Sequence, residues 1–417
     1  MFPPTPVPDL APGVTALSNT IPNAASERSA PERPTPAQQA QRSLIEVFSS
    51  LPDPRSRHGR RHPLNALLAL LVVALCAGAN HVKNAVIFGR ERKSLRKRLG
   101  FTHRIAPSQS TYTRLFQRLE LAAFQQALAR WLRDLAAGWA ERQTGPVAAA
   151  VDGKALRGSQ HHLLHTFVQD LWLLLDLREV GEKQNEISAF RQQLAHMLER
   201  YPFISLFTFD ALFAQHAIAK TLTAAGRRGL FQIKDNQRET LFRLERWFYA
   251  LPKAEPDFET TDLNGDHIVT RQLWVACAPP DVRELWPEAR QIVAVRSTSA
   301  KRRAQAADRG EELHLYLVTG PQGQRRLSPK RLAGLIRGHW GVENRLHHIL
   351  DRTYEEDCQR PRVEGAALIL AWLRRLSLGL LYRRSRGRRG ACFIPEKRHI
   401  LCAHPFRAAK LVMGGAR

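Results

Sequence analysis

Cysteine is rare in this chain of 417 residues, and its five copies lie far apart, at Cys76, Cys277, Cys358, Cys392 and Cys402. Their number is odd, and no CxxC pair occurs, so neither a disulfide framework nor a zinc knuckle is indicated. This usage is typical of a reducing cytosol, and we expect a cytoplasmic protein. The first residues also lack the basic and apolar regions of a signal peptide.

Long hydrophobic runs are missing as well. The longest, residues 64–79, contains Asn65 and has basic residues on both sides. A bilayer requires about 20 apolar residues, so we expect a buried helix and no membrane partner. The GxxxxGK[ST] loop is absent, which excludes an ATP-driven motor and leaves no nucleotide cofactor to expect. The HExxH order is absent too, which argues against a zinc hydrolase.

Positive charge, by contrast, is abundant. The chain has 63 Lys and Arg against 38 Asp and Glu, a net charge of +25. A field of this sign favours a polyanion, and nucleic acid is the commonest one. A membrane surface or a solvated tail could also explain the charge, but the basic residues are spread over segments with folded patterns as well as the tail, so we expect a nucleic acid partner.

Two predicted strands each end in an aspartate. The uncharged stretch Val147–Val151 leads to Asp152 and Gly153, and alternating apolar residues from 203 to 209 lead to Asp210. Either residue alone is simply explained as a turn aspartate. Adjacent strands lie about 5 Å apart, so the two carboxylates together can share a hard divalent cation such as Mg²⁺.

The order of elements predicts an α/β fold. Residues 1–40, rich in Pro, Ala, Ser and Thr, are expected to be disordered. Residues 41–143 predict a small all-helical, candidate DNA-binding domain whose basic turn contains Arg60 and Arg61. Residues 144–382 follow the order of a ribonuclease-H-like catalytic core, with a β-rich insertion at about 257–323. Residues 383–417 form a basic tail without clear periodicity, which either adds nonspecific DNA affinity or is only solvated.

A third acid lies in the helix predicted from about Pro329 to Leu350. Helical steps from Glu343 reach mostly apolar residues, so its carboxylate is predicted on a buried face. A buried, unpaired carboxylate costs several kcal/mol, so it requires a cation or a salt bridge. The candidate salt-bridge partners are Arg337, Arg345 and Arg352.

A set of short motifs is specific when their order and spacing are taken together. They are Asp152-Gly153-Lys154 with Arg157-Gly158, Glu182-Lys183 with Asn185-Glu186, Thr208 with Asp210-Ala211, Lys234 with Asn236-Gln237, and His339-Trp340-Gly341-Val342-Glu343-Asn344 with Leu346-His347, Leu350-Asp351 and Glu356-Asp357. From about Leu44 to Arg384 the chain resembles the ISAs1 family of insertion-sequence transposases, which is related to H-repeat proteins and, more distantly, to the IS4 group.

The resemblance implies a DDE transposase that cleaves transposon ends and joins their 3′-hydroxyls to target DNA by two-metal phosphoryl transfer. Asp152, Asp210 and Glu343 would be the catalytic and metal-binding triad. They would hold two Mg²⁺ ions, with Mn²⁺ expected to substitute. The family also implies that the protein binds double-stranded DNA, both the element ends and the target, as a homodimer, and that it is nucleoid-associated.

Further residues are candidates for contacting DNA: Lys154, Arg157, Lys234, His339, Trp340, His347, Arg60 and Arg61. For Trp340, both insertion against a base and packing in the core remain open. Asp235, His348 and Arg352 stand where the family often has Gly, Trp and an aliphatic residue. The alternative function is a catalytically inactive or domesticated DNA-binding repressor derived from such a transposase.

Overall fold

In a computed structural model, a nine-stranded sheet is surrounded by helices. The structure describes residues 43–156, 161–180, 186–251, 255–264, 267–301, 310–358, 365–383 and 393–414. All of them belong to one compact unit, Ala40–Arg417. The predicted disorder of residues 1–40 lies outside the described residues. Of the helices in these ranges, none has the length and apolar character needed to cross a membrane.

The strands and helices are numbered in chain order. The strands are β1 Val147–Leu156, β2 His161–Val168, β3 Leu173–Val180, β4 Ile204–Phe209, β5 Arg228–Ile233, β6 Phe258–Asn264, β7 His267–Cys277, β8 Ala289–Lys301 and β9 Gly310–Thr319. The helices are α1 Leu44–Ser49, α2 Leu64–Cys76, α3 Val82–Arg90, α4 Lys93–Arg98, α5 Gln109–Phe116, α6 Leu121–Ala140, α7 Glu186–Arg200, α8 His216–Ala224, α9 Arg238–Ala250, α10 Pro280–Leu285, α11 Pro329–Val342, α12 His348–Arg352, α13 Ala366–Arg383, α14 Ile394–Ala403 and α15 Pro405–Val412.

The sheet has the strand order β3-β2-β1-β4-β5-β9-β8-β7-β6. Strands β1, β4 and β5 are parallel, and all other neighbours are antiparallel. Strand β1 begins with five consecutive buried residues, Val147–Val151. Such an uninterrupted apolar run is typical of a central strand that is covered on both faces. The predicted insertion forms β6 to β9 and extends the sheet beyond β5.

Strand β1 is longer than the sequence predicted. Asp152 does not end it, because antiparallel pairing with β2 continues from Ala149 to Leu156. The parallel pairing with β4 does stop, at the pair Val151 and Phe209. Asp152 therefore lies where β1 loses one neighbour and keeps the other. Gly153 continues the strand rather than turning the chain.

The helical regions before and after the sheet share one hydrophobic core with it. Helix α2 is buried along nearly its whole length and packs against α1, α13 and α15. The chain after residue 383 was expected to lack regular structure, and this expectation was wrong for residues 394–412. Helices α14 and α15 bury Ile394, Leu401 and Val412. The predicted domain boundary near residue 143 stays a prediction.

Candidate active site

Two aspartates lie side by side on neighbouring parallel strands. Val151 of β1 pairs with Phe209 of β4, so the next residue on each strand is an aspartate, Asp152 and Asp210. Neighbouring strands are separated by about 4.8 Å, which brings the two carboxylates to the same edge of the pairing. The Asp152 side chain is 19% exposed, and its Oδ1 accepts a hydrogen bond from the Gly153 amide at 2.9 Å.

Asp210 is held by a short 3₁₀ turn, Ala211–Phe213, which follows β4 directly. Its carboxylate accepts backbone hydrogen bonds from Leu212 and Phe213. Its Oδ1 is buried and has no hydrogen-bond partner among the described residues. Burial raises the pKa of the Asp210 carboxyl above its ordinary value, and the nearby Glu343 carboxylate raises it further, whereas the backbone hydrogen bonds and Lys234 oppose both. Glu343 and Lys234 are thus electrostatic neighbours of Asp210.

Glu343 is exposed, so the prediction that it lies on a buried face was wrong. A segment of π-helix, Glu343–His347, lies between α11 and α12. Hydrogen bonding from i to i+5 changes the angular spacing there, so the forward steps from Glu343 to Leu346 and Leu350 do not identify its face. No salt bridge to Glu343 exists within the described ranges.

Two of its three candidate salt-bridge partners have other contacts. Arg337 pairs with Asp262 at 3.0 Å, and the Arg345 guanidinium lies 4.4 Å from the centre of the Trp172 ring. Each of these two guanidinium groups therefore interacts with a group other than Glu343. The carboxylate is therefore available to a cation.

Two glycines let α11 approach the turn between β2 and β3. A Cβ atom on Gly338 would lie 2.5 Å from Gln169 Oε1, and one on Gly341 would lie 2.5 Å from the end of the Trp172 ring. Trp172 itself has a positive φ of 53°. This close packing positions the helix end that carries Glu343.

His347 links the π-helical segment to β1. Its Nδ1 lies 3.6 Å from Asp152 Oδ2, and its buried Nε2 has no hydrogen-bond partner among the described residues. Burial, with Lys154 and Arg375 nearby, lowers the pKa of His347 to about 3. A neutral imidazole therefore lies beside Asp152, four residues after Glu343.

A buried ionic cluster lies behind His347. Arg375 donates from Nε to His165 Nε2 at 2.8 Å and from both Nη atoms to Glu356, at 2.7 and 3.0 Å. Arg374 pairs with the same carboxylate at 3.5 Å. The His165 ring is 5.3 Å from the His347 ring, centre to centre. The sequence reasoning missed this cluster, although two consecutive arginines in the apolar helix α13 were a signal of it.

Lys154 has a partner within the fold. Its Nζ donates to both carboxylate oxygens of Asp351, at 2.6 and 2.8 Å, and its side chain is nearly buried. This bond ties β1 to α12. Lys154 was predicted to contact DNA. In this structure its ammonium group instead forms a salt bridge with Asp351.

Two other predicted DNA contacts also have internal partners. His339 Nδ1 lies 3.0 Å from Thr208 Oγ1, which accepts a bond from Gln169 Nε2 at 2.6 Å. Burial lowers the pKa of His339 to about 4. Trp340 donates from Nε1 to the Tyr316 hydroxyl at 3.1 Å and packs on the core cluster beneath α11. These contacts favour the packing interpretation of Trp340.

The remaining candidates are placed differently. Arg60 donates to the backbone oxygens of Arg55 and Asp53 in the segment between α1 and α2, and Arg61 beside it is exposed. Lys234 lies beside Asp210 and is exposed. Arg157 lies outside the described residues. The structure therefore brings Lys234 and His347, but not Arg60, into contact with the predicted triad.

The geometry of the predicted triad in this structure meets only some of the requirements of a divalent-cation site. Across the residues whose placement is described, no group of three His, Cys, Asp or Glu side chains is close enough to hold a metal ion. Two observations fit a cation nonetheless: the adjacent backbone positions of Asp152 and Asp210, and the buried Asp210 Oδ1, which has no hydrogen-bond partner in the part of the chain that the structure describes. Carboxylate oxygens are the ligands that Mg²⁺ prefers.

Comparison with known proteins adds independent information. The family model described as "Transposase DDE domain" matches residues 143–378, and the model described as "DDE_Tnp_1-associated" matches residues 45–132. The chain is 26% identical to the putative transposase YncI of Escherichia coli O157:H7, over 81% of this chain and 87% of that one. It is 25% identical to the H repeat-associated putative transposase YhhI of Escherichia coli (strain K12), over 82% and 90% of the two chains.

A search of solved structures gives a weaker match. A cryo-EM structure of the piggyBac transposase synaptic complex with hairpin DNA aligns with a TM-score of 0.38 at 10% identity. The alignment covers 89% of this chain and 79% of that one.

Proposed function

Because the chain belongs to the transposase DDE domain family, we propose that it cleaves the ends of an insertion sequence and joins their 3′-hydroxyls to target DNA by two-metal phosphoryl transfer. The family itself, predicted from the motifs, is confirmed, and relatives named as H repeat-associated transposases are among the matches. The family implies a metal-dependent enzyme acting on DNA. The chemistry of this particular chain is the proposal.

We assign β1 to β5 as a ribonuclease-H-like core. The order β3-β2-β1-β4-β5, with β1, β4 and β5 parallel, supports the assignment. In that core the first acid lies on the first strand and the second at the end of the fourth, which are the positions of Asp152 and Asp210. The strands β6 to β9 are then an insertion attached through β9 to the edge strand β5.

The observation that carries the proposal is the register of β1 and β4, which makes Asp152 and Asp210 neighbours across the sheet. Glu343 lies close enough to Asp210 to raise its pKa. Asp152, Asp210 and Glu343 would hold two Mg²⁺ ions, with Mn²⁺ as a substitute. When bound, such ions activate a water or a 3′-hydroxyl and stabilise the leaving oxygen.

The protein's own groups prepare this site. The backbone amides of Leu212 and Phe213 orient the Asp210 carboxylate, and the neutral His347 ring lies against Asp152. Lys234, beside Asp210, offsets the negative charge of the acids and is available to a DNA phosphate. Asp351 holds Lys154, so we assign Lys154 to positioning β1 and α12 rather than to DNA.

DNA is the proposed partner, and the net charge of +25 supports it. Arg60, Arg61 and Arg157 remain proposed contacts, and a homodimer on DNA remains a proposal from the family. No observation favours the repressor alternative. A repressor needs no metal-binding carboxylates, whereas Asp152, Asp210 and Glu343 are all present.

Full-length protein and the DNA that flanks its gene provide the test. With Mg²⁺, Asp152→Asn should abolish strand cleavage, because an amide oxygen replaces a charged metal ligand, while DNA binding changes by less than about twofold. Asp170→Asn, at an exposed residue that pairs with Arg331, is the matched control and should cleave normally. Cleavage that persists in the Asp152 variant would reject the triad.

A further inference from the structure

A cleft of about 600 Å³ lies outside the predicted triad. Its walls come from the α2–α3 turn, from α3 and Arg92, from the end of α12, and from α14. Three arginines line it, Arg92, Arg352 and Arg398, and no aspartate or glutamate does. Asn80, Asn84 and His399 add polar groups. The charged side chains of the walls are therefore all cationic.

Arg398 is a buried cation that has no carboxylate partner among the residues whose placement is described. Its guanidinium donates to the backbone oxygens of Leu75, Ala79 and Thr353, and to Asn80 Oδ1, at 2.6 to 3.1 Å. Every one of these acceptors is neutral. Its side chain is only 4% exposed, so water screens the charge poorly. A cation buried in this way makes the cleft favourable for an anion.

Arg92 and Arg352 retain free donors. Arg92 stacks on the Phe88 ring and donates to the backbone oxygens of Phe88 and Cys402 at 3.2 and 3.4 Å, which leaves three of its five N–H groups. Arg352 is exposed and has no hydrogen-bond or ion-pair partner in the described part of the chain. A guanidinium group can donate two parallel hydrogen bonds to two oxygens of one phosphate.

We infer that this cleft binds a backbone phosphate of the DNA duplex on which the protein acts. The inference rests on the proposed function and names a place where the protein would contact its DNA. Arg352 follows Glu343 by nine residues on one helical run. At about 1.5 Å per residue this spans roughly 13 Å, or about four rises of 3.4 Å along a DNA strand. The separation along the helix axis is therefore shorter than one turn of a DNA duplex.

The experiment measures duplex binding by fluorescence anisotropy as a function of salt, with the full chain. Each phosphate contact contributes roughly 0.9 to the slope of log K against log salt. Arg352→Ala should make the slope shallower by about 0.9 and weaken binding roughly tenfold at 0.1 M salt. Arg352→Glu should weaken it more, and Arg352→Lys should preserve most of the slope, because it keeps the charge.

A matched control separates the cleft from general loss of charge. Arg246→Ala removes a guanidinium that is 63% exposed on α9 and already paired with Asp281 at 2.6 Å. It should leave the slope nearly unchanged. Arg92→Ala, at the other wall of the cleft, should reproduce the loss seen with Arg352→Ala. The melting temperature of each variant verifies that it is folded.

Slopes for Arg352→Ala and Arg92→Ala that equal the wild-type slope would overturn the inference. Asp152→Asn distinguishes this failure from that of the proposed function. If wild-type protein cleaves and the Asp152 variant does not, the transposase assignment stands without the cleft.

Discussion

His347 contacts one of the proposed metal ligands directly. It lies 3.6 Å from Asp152 and at the end of the segment that begins at Glu343. The His347 ring packs against the His165 ring, and His165 Nε2 accepts a hydrogen bond from Arg375 Nε. Mutation of a side chain that contacts a metal ligand, but not the metal itself, commonly lowers metal affinity or activity by a factor of about 10 to 100.

His347→Ala should therefore raise the Mg²⁺ concentration for half-maximal cleavage by roughly tenfold or more. DNA binding, measured without Mg²⁺, should not change. The neighbouring His348 offers a matched control, because it is exposed. His348→Ala should titrate like the wild type. Equal Mg²⁺ curves for the two variants would exclude a supporting role for His347.

The sequence predicts the positions of some residues of the site and not of others. Asp152 and Asp210 were recognisable because each follows an apolar run of sequence. The exposure of Glu343 was not, because helical periodicity assumes uniform winding and the chain forms a π segment there. The bond between Arg375 and His165 joins residues 210 positions apart. No local pattern predicts such a pair.

At the scale of elements, the site depends on how closely α11 packs against the β2–β3 turn. Gly341 permits the approach, because any Cβ atom there would overlap the Trp172 ring. Trp172 is partly buried and packs on Phe167 and Tyr382, so its ring has little room to withdraw. The position of Glu343 two residues later is thus coupled to this contact.

Gly341→Ala should destabilise the protein by about 1–3 kcal/mol through overpacking and reduce cleavage in parallel. Gly334 lies in the same helix with no atom within 4 Å of its would-be Cβ. Gly334→Ala should instead stabilise the helix by roughly 0.5–1 kcal/mol. Urea unfolding measures both. A Gly341 variant as stable as the Gly334 variant would contradict the packing argument.

Element order was largely predictable, and the tail was not. The strands that flank the two aspartates, the β-rich insertion and the final acid-bearing helix all follow from local patterns. Helix α14 was missed because it carries Lys397 and Arg398 where a buried helix normally has apolar residues. Both cations are nevertheless buried, because backbone oxygens of other elements accept their hydrogen bonds.

At the scale of the whole molecule, the helical regions and the sheet are parts of one body. Helix α2 near the start of the described chain packs against α13 and α15 near its end. The local sequence shows only that α2 is apolar on all sides. This predicts that the helix is buried, but not which helices pack against it. The shared core explains why residues from distant segments line the cationic cleft together.

The central claim is that Asp152, Asp210 and Glu343 hold the same divalent ions. Anomalous scattering from crystals soaked in Mn²⁺ tests it most directly. The account predicts Mn²⁺ between these three carboxylates, with oxygen atoms at roughly 2.0–2.3 Å. Ordered Mn²⁺ bound elsewhere, or carboxylates that stay apart at saturating Mn²⁺ with DNA bound, would contradict it.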